Sequence, residues 1–144
     1  MLVRQILNAK ASQGVETVKP TTTVAEAAEI LSARKFGALI VSEDGQTPLG
    51  IISERDVVRE LARCGASCMG DTVANLMTSK LVTCALDDSA DQVLTQMTDG
   101  RFRHMPVLED AKMVGLISIG DVVKARLSEL SMEKDALEGM IMGH

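Results

Sequence analysis

The segment GIISERDVV, Gly50 to Val58, returns 65 positions later as GLISIGDVV, Gly115 to Val123, with six of nine residues identical. A chain that writes one pattern twice is bound to fold as two similar units. A period of about 65 residues is too long for a solenoid repeat and too short for two fully independent domains. The likeness extends upstream, where TTTVAEAAEILSARKFGALIV (21–41) matches DDSADQVLTQMTDGRFRHMPV (87–107) and sets Phe36 against Phe102. The turn that follows, SEDGQTP or LEDAK, is one residue shorter overall in the second copy.

Each copy predicts the same order of elements. A short extended segment, Thr17-Val18 or Val82-Thr83, leads to a helix start at Thr23 or Ser89. Glu26 or Gln92 follows three residues later, the spacing of a capping box. Apolar residues then fall at 24, 27, 28 and 31 and at 90, 93, 94 and 97, one helical face in each copy. The strands ALIV and MPVL join PLGII and MVGLI through turns containing Asp-Gly or Asp-Ala, which reads as a hairpin. A last helix carries Val57, Val58 and Leu61, or Val122, Val123 and Leu127.

The fold class is therefore α/β (α+β): two pseudo-symmetric β-α-β-β-α repeats. A three-stranded sheet with helices on one face leaves its other face bare, and packing the two copies sheet to sheet covers both. That arrangement also creates a pseudo-two-fold axis with matching clefts between the units. The expected divisions are residues 1–70 for the first repeat with an N-terminal helix, 71–128 for the second, and 129–144 for a C-terminal helical extension. Along that extension Val123, Leu127, Leu130, Lys134, Leu137 and Ile141 form a near-heptad stripe, read as a homodimer contact. The alternative is a helix folded back on its own domain.

Composition narrows the function. The net charge of −5 repels phosphate backbones, so nucleic acid is disfavoured as a partner. There is no Trp or Tyr, and Phe36 and Phe102 are the only Phe residues, so a bound base is expected to lie on aliphatic side chains rather than aromatic platforms. Three cysteines, Cys64, Cys68 and Cys84, form no zinc ligand set and read as packing residues in a reducing compartment. No apolar run approaches the roughly 18–20 residues of a membrane span, and the N-terminal stretch reads as structure rather than a signal, so a cytoplasmic location is expected. His104 and His144 lack catalytic surroundings, and there is no P-loop, GxGxxG or metal constellation. The chain reads as a non-enzyme with no metal site.

Ser53–Asp56 and Ser118–Asp121 each fit the [ST]-x-x-[DE] capping pattern, worth about 1 kcal/mol to a helix start with no ligand involved. A second reading competes with that one. A helix start at a cleft mouth offers free N–H groups and a hydroxyl to phosphate, and an aspartate in the first turn can accept both hydroxyls of a cis-diol. Basic residues precede the middle strands: Arg34 and Lys35 in one copy, Arg101, Arg103 and His104 in the other. Together these suit a nucleotide.

These residues, with the pattern GxxSxxDxV in both copies and HMPV at 104–107, resemble a tandem pair of cystathionine-β-synthase (CBS) domains, the Bateman module in its stand-alone form. The resemblance covers about Val15 to Leu127. It implies a regulatory module that binds adenosine ligands between the repeats: AMP first, with ADP, ATP, NAD-type dinucleotides or S-adenosylmethionine as alternatives. It further implies a disc-like homodimer and a regulated partner protein of unknown identity. By position, Asp56 and Asp121 would hold ribose, and Ser53 and Ser118 would meet phosphate. Sites in this family are composite, so Asp121 would work with Thr17, Val18, Gly37, Ala38 and Leu39, and Asp56 with Val82, Thr83, Met105 and Pro106. Arg103 and His104 would face phosphate near the axis, with Arg55 as a further candidate. Because Gly37-Ala38 stands where the other copy has Arg103-His104, the Asp121 side is expected to have more room for a purine. The rival expectation is a structural scaffold in which both Ser-x-x-Asp pairs only cap helices.

Overall fold

The computed structural model describes residues 1–10, 15–34 and 37–142. Lys35, Phe36 and His144, named above, lie outside the described residues. In chain order the elements are α1 (Val3–Ala9), β1 (Thr17–Val18), α2 (Val24–Arg34), β2 (Ala38–Val41), β3 (Gly50–Ser53) and α3 (Glu54–Cys64). A 3₁₀ segment, Gly65–Gly70, leads to α4 (Val73–Leu76), β4 (Cys84–Ala85), α5 (Ala90–Gly100), β5 (His104–Glu109), β6 (Lys112–Ser118) and α6 (Ile119–Ile141). Two three-stranded sheets result, β1-β2-β3 and β4-β5-β6, each with one parallel and one antiparallel pairing. This is the mixed α/β architecture of two repeats that the sequence predicts.

Local chemistry explains where the helices begin. Thr23 Oγ1 accepts the N–H of Glu26 (3.1 Å), and Glu26 returns a carboxylate oxygen to the Thr23 N–H (3.3 Å). Ser89 and Gln92 make the same reciprocal pair. The predicted apolar faces are buried: Val24, Ala27 and Leu31 in one unit, Ala90, Val93 and Met97 in the other. The hairpin β5–β6 turns on Asp110 and Ala111, both at positive φ (53° and 64°), the geometry of a two-residue turn.

Three details differ from the sequence reading. The first strand of the second unit is Cys84–Ala85, pairing with Val107 and Leu108, and Val82-Thr83 precede it. Helix α1, grouped with the first repeat on sequence, packs on the second: Val3 and Ile6 share a core with Val93, Met105, Ile117 and Val122. Conversely, Val73 of α4 joins the first core with Val24, Leu39 and Ile52. Each short helix is tied in by main-chain bonds, Val3 N–H to Asp88 C=O and Val73 N–H to Thr22 C=O, both 2.8 Å. A helix of seven or four residues cannot bury its apolar stripe alone, so it borrows the core within reach. Finally, α6 runs unbroken through residue 128, and Leu127 and Leu137 on its stripe stand 63% and 60% exposed.

Strand β2 shows how the units meet. Leu39 and Val41 point into the first core, so Ala38 and Ile40 point the other way, yet both are also buried. Close to this strand, two contacts join the units. Met113 N–H reaches the Gln46 carbonyl (2.7 Å), and a Cβ on Gly37 would lie 2.9 Å from His104 Nε2. Of the cysteines, Cys68 and Cys84 are buried packing residues, whereas Cys64 is exposed.

Candidate functional site

Strand β3 delivers Ser53 to the start of α3 with extended backbone, φ −116° and ψ 166°. Its hydroxyl accepts the Asp56 N–H (3.3 Å), while Asp56 Oδ2 accepts both the Ser53 N–H (2.8 Å) and the Ser53 hydroxyl (3.0 Å). The capping function is thus complete. It uses one carboxylate oxygen. Asp56 Oδ1 instead receives Arg59, whose side chain is 69% exposed and can swing into solvent. The cap therefore leaves one oxygen of this carboxylate outside it.

Around Asp56 a cleft of about 460 Å³ opens between the units. The first unit lines it with Gly37, Ile51, Ser53, Glu54, Arg55, Asp56 and Arg59. The second lines it with Gly100, Arg101, Phe102, Arg103, His104 and Pro106, and the connecting segment adds Thr78, Lys80, Leu81 and Val82. Pocket volumes of roughly 300–1,000 Å³ suit small ligands. Five cationic side chains, Arg55, Arg59, Lys80, Arg101 and Arg103, face two carboxylates, Glu54 and Asp56, in a protein whose net charge is −5. A concentration of positive charge against the global sign marks a place for an anion. Arg101 holds left-handed backbone (φ 57°, ψ 40°) at the end of α5, a costly conformation for a side-chain-bearing residue.

Of the residues expected around Asp56, the structure brings Val82 and Pro106 to the cleft together with Ser53, Arg55, Arg103 and His104. Met105 lies in the second core with no exposure, and Thr83 is not among the lining residues. Gly37, expected beside Asp121, lines the Asp56 cleft. The room that its missing side chain was expected to leave for a purine is occupied by the His104 imidazole. Burial first, then the positive charge of Lys10, holds the His104 pKa below its ordinary value.

The second Ser-x-x-Asp pair repeats the cap. Ser118 Oγ accepts the Asp121 N–H (3.1 Å), and Asp121 Oδ2 accepts the Ser118 N–H (2.9 Å). Here the same Oδ2 also meets Lys10 Nζ at 2.9 Å, and that ammonium donates to the Leu116 carbonyl, also 2.9 Å. Burial pulls the Asp121 pKa upward, but the Ser118 N–H and Lys10 outweigh it and leave the carboxyl below its usual range. Val18, Ala38 and Leu39, expected on this side, are buried, and Thr17 is half-buried.

The residues that sequence reasoning missed are Lys10, Arg59, Lys80 and Phe102. Arg59 lies three residues after Asp56 and was findable from helical spacing. Phe102 supplies one aromatic ring where only aliphatic walls were expected. Lys10 and Lys80 carried no local signal, because tertiary packing alone brings them to the two aspartates.

Comparison with known proteins agrees with this architecture. The sequence profile of the CBS domain matches residues 3–63 and 73–128. A mitochondrial CBS domain-containing protein of Arabidopsis thaliana, CBSX3, is 38% identical over 125 residues, 84% of this chain, and the chain spans 61% of that relative's length. A CBS-domain containing protein of Agrobacterium tumefaciens superposes with a TM-score of 0.83 at 43% identity, covering 88% of this chain and 99% of that one. The CBS domain pair of protein MJ0100, solved in complex with 5′-methylthioadenosine and S-adenosyl-L-methionine, superposes with a TM-score of 0.78 at 25% identity, covering 90% and 98%.

Proposed function

The chain belongs to the CBS domain family, and from that premise we propose that it is a regulatory module, not an enzyme, that binds a phosphorylated adenosine ligand in the Asp56 cleft. The observation that carries the reading is the five-to-two excess of cations around a carboxylate with one oxygen outside the cap. In this reading Asp56 Oδ1 exchanges Arg59 for the ribose diol. Arg103, Arg55 and Lys80 neutralise phosphate, and the base lies against Val82, Pro106 and Phe102. Relatedness to a domain pair that holds adenosyl compounds supports the nucleoside part. Charge supports the phosphate part: the cationic sulfonium of S-adenosylmethionine is repelled here, whereas AMP, ADP, ATP or NAD is attracted. AMP is the leading candidate because one phosphate satisfies the cleft without crowding it.

The output is part of the same reading. Ligand that binds both units favours one angle between them, by no more than its differential affinity for the two shapes. A partner protein or a second copy reads that angle. The exposed apolar faces of α3 (Val58, Leu61) and α6 (Val123, Leu127, Leu130, Leu137) support a homodimer. No helix among the described residues is long and apolar enough to cross a membrane. Cytoplasmic residence completes the reading, and cell fractionation separates it from the mitochondrial location in the name of the Arabidopsis relative.

The formed capping boxes favour one rival, a scaffold in which Asp56 and Asp121 serve only their helices. Thermal denaturation separates the two. At about 100 times its dissociation constant a ligand stabilises the fold by about 2.7 kcal/mol, or about 5–10 °C for a chain of this size. AMP, ADP, ATP or NAD should raise Tm, more than S-adenosylmethionine does. No rise with any of them supports the scaffold.

A further inference from the structure

Very little directional bonding joins the two units. Among the described residues, the bond from the Met113 N–H to the Gln46 carbonyl (2.7 Å) is the one main-chain hydrogen bond that crosses from unit to unit, and no ion pair crosses. On the donor side, β6 is an edge strand of its sheet, and a bulge interrupts its register beside Met113. Val107 faces Gly115 but Leu108 faces Met113, which leaves Val114 as the extra residue. The first unit has no equivalent donor. LGIIS (49–53) matches VGLIS (114–118), so Pro48 stands where Met113 stands, and proline has no N–H. The repeats are pseudo-symmetric, but this tie runs one way.

On the acceptor side, Asp44 organises the loop between β2 and β3. Its Oδ1 accepts the N–H groups of Gln46 and Thr47, both at 2.8 Å. The Thr47 N–H and the Gln46 carbonyl belong to one planar trans peptide. Fixing the first toward Asp44 therefore turns the second the opposite way, toward Met113. The buried Ser42 hydroxyl braces the same loop, accepting the Gly45 N–H (3.0 Å) and donating to the Thr47 carbonyl (2.7 Å).

Asp44, Gln46 and Met113 are all absent from the lining of the Asp56 cleft, whereas Gly37 and Ser53, at the other end of the β2–β3 hairpin, belong to it. The strand from Ala38 to Val41 puts about 10 Å between the two ends. From this arrangement we propose that the Gln46–Met113 bond is a one-sided clasp that fixes the units at the end remote from the cleft, with Asp44 as its positioning residue. The clasp itself needs no ligand; its effect on binding rests on the reading that the Asp56 cleft takes a nucleotide. With the clasp closed, both walls of the cleft are held in place before the ligand arrives, and a preorganised site binds more tightly than one the ligand must order. Loss of one hydrogen bond between the units corresponds to about three- to tenfold in affinity.

The test is amide hydrogen exchange of the full chain without ligand, followed by calorimetric titration with AMP, for wild type, Asp44→Ala and Asp44→Asn. The Leu49 N–H, bonded to Val41, and the Ile119 N–H, bonded to Arg103, serve as references, one in each unit. In Asp44→Ala the Met113 amide should exchange at least about tenfold faster while both references stay within about twofold. Asp44→Asn keeps an acceptor and should retain most of the protection. AMP should bind about three- to tenfold more weakly to Asp44→Ala, although residue 44 lies outside the cleft. A Met113 amide that is unchanged in Asp44→Ala, or that accelerates together with both references, overturns the clasp. Unchanged or tighter AMP binding alongside faster Met113 exchange overturns its link to the cleft. If the wild type binds no AMP, the nucleotide reading fails, and the exchange result still decides the clasp.

Discussion

Replacing Asp56 by Asn separates capping from the proposed ligand binding, because the cap uses Oδ2 and the proposal places the diol on Oδ1. In the free protein Asn keeps an acceptor for the Ser53 N–H and loses the negative charge at the start of α3, worth about 0.3–1 kcal/mol. The Arg59 pairing it also loses is largely exposed and contributes little. Stability should therefore fall by about 1 kcal/mol or less. For a bound nucleotide the loss is larger. At least one diol hydroxyl loses a charged acceptor, about 1.5–3 kcal/mol. Arg59 no longer has to be displaced, which returns about 0.5 kcal/mol. The net loss of about 1–2.5 kcal/mol corresponds to a rise in Kd for AMP of about 5- to 70-fold. Calorimetric titration measures the affinity and urea denaturation the stability, with Asp121→Asn as the companion whose effect on the Asp56-dependent site stays below about twofold. A change below twofold in Asp56→Asn, or an equal loss in both variants, refutes the assignment of the diol to Asp56.

Other consequences follow from particular residues. Ala111 holds φ 64° in the β5–β6 turn, where an L residue costs about 1–2 kcal/mol. Ala111→Gly should raise stability by about 0.5–1 kcal/mol after its added chain entropy, seen as a higher urea midpoint with an unchanged m-value. Because burial lowers the His104 pKa below its ordinary 6.5, the unfolded chain binds a proton that the folded chain refuses in the window just below that value. Stability from this group is therefore complete above pH 6.5 and declines as pH falls through the window; His104→Asn should flatten that decline in Tm between pH 7 and 5.5. If the α6 stripe joins two copies, a charge at Leu130 or Leu137 should convert a dimer to a monomer in sedimentation velocity while circular dichroism stays unchanged. A chain that is already monomeric removes that interface.

Much of this fold is written in local chemistry. Thr23–Glu26, Ser53–Asp56, Ser89–Gln92 and Ser118–Asp121 mark four helix starts at a spacing that the backbone itself dictates, and all four form reciprocal caps. The apolar faces of α2 and α5 are legible for the same reason, since helical periodicity is a property of neighbours in sequence. Legibility ends where a residue acts on a distant part of the chain. Nothing near Val3 announces that it belongs to the core of the second unit, and nothing near Lys10 names Asp121, 111 positions away, as its partner. The small residue at Gly37 was visible, but its meaning was not. Read alone it leaves room for a ligand; in the folded chain it makes room for His104. The second unit's first strand was misplaced by two residues because Val82-Thr83 has the higher β propensity, and tertiary pairing with Val107 and Leu108 places the strand at Cys84–Ala85 instead.

The most direct measurement is a crystal structure of the protein grown with AMP at about 100 times its Kd. Density for the nucleotide between α3 and β5, with the ribose hydroxyls on Asp56 and the phosphate turned toward Arg103 and Lys80, is the predicted result. A protein whose cleft stays free of ligand under those conditions, with Arg59 still on Asp56, would contradict it.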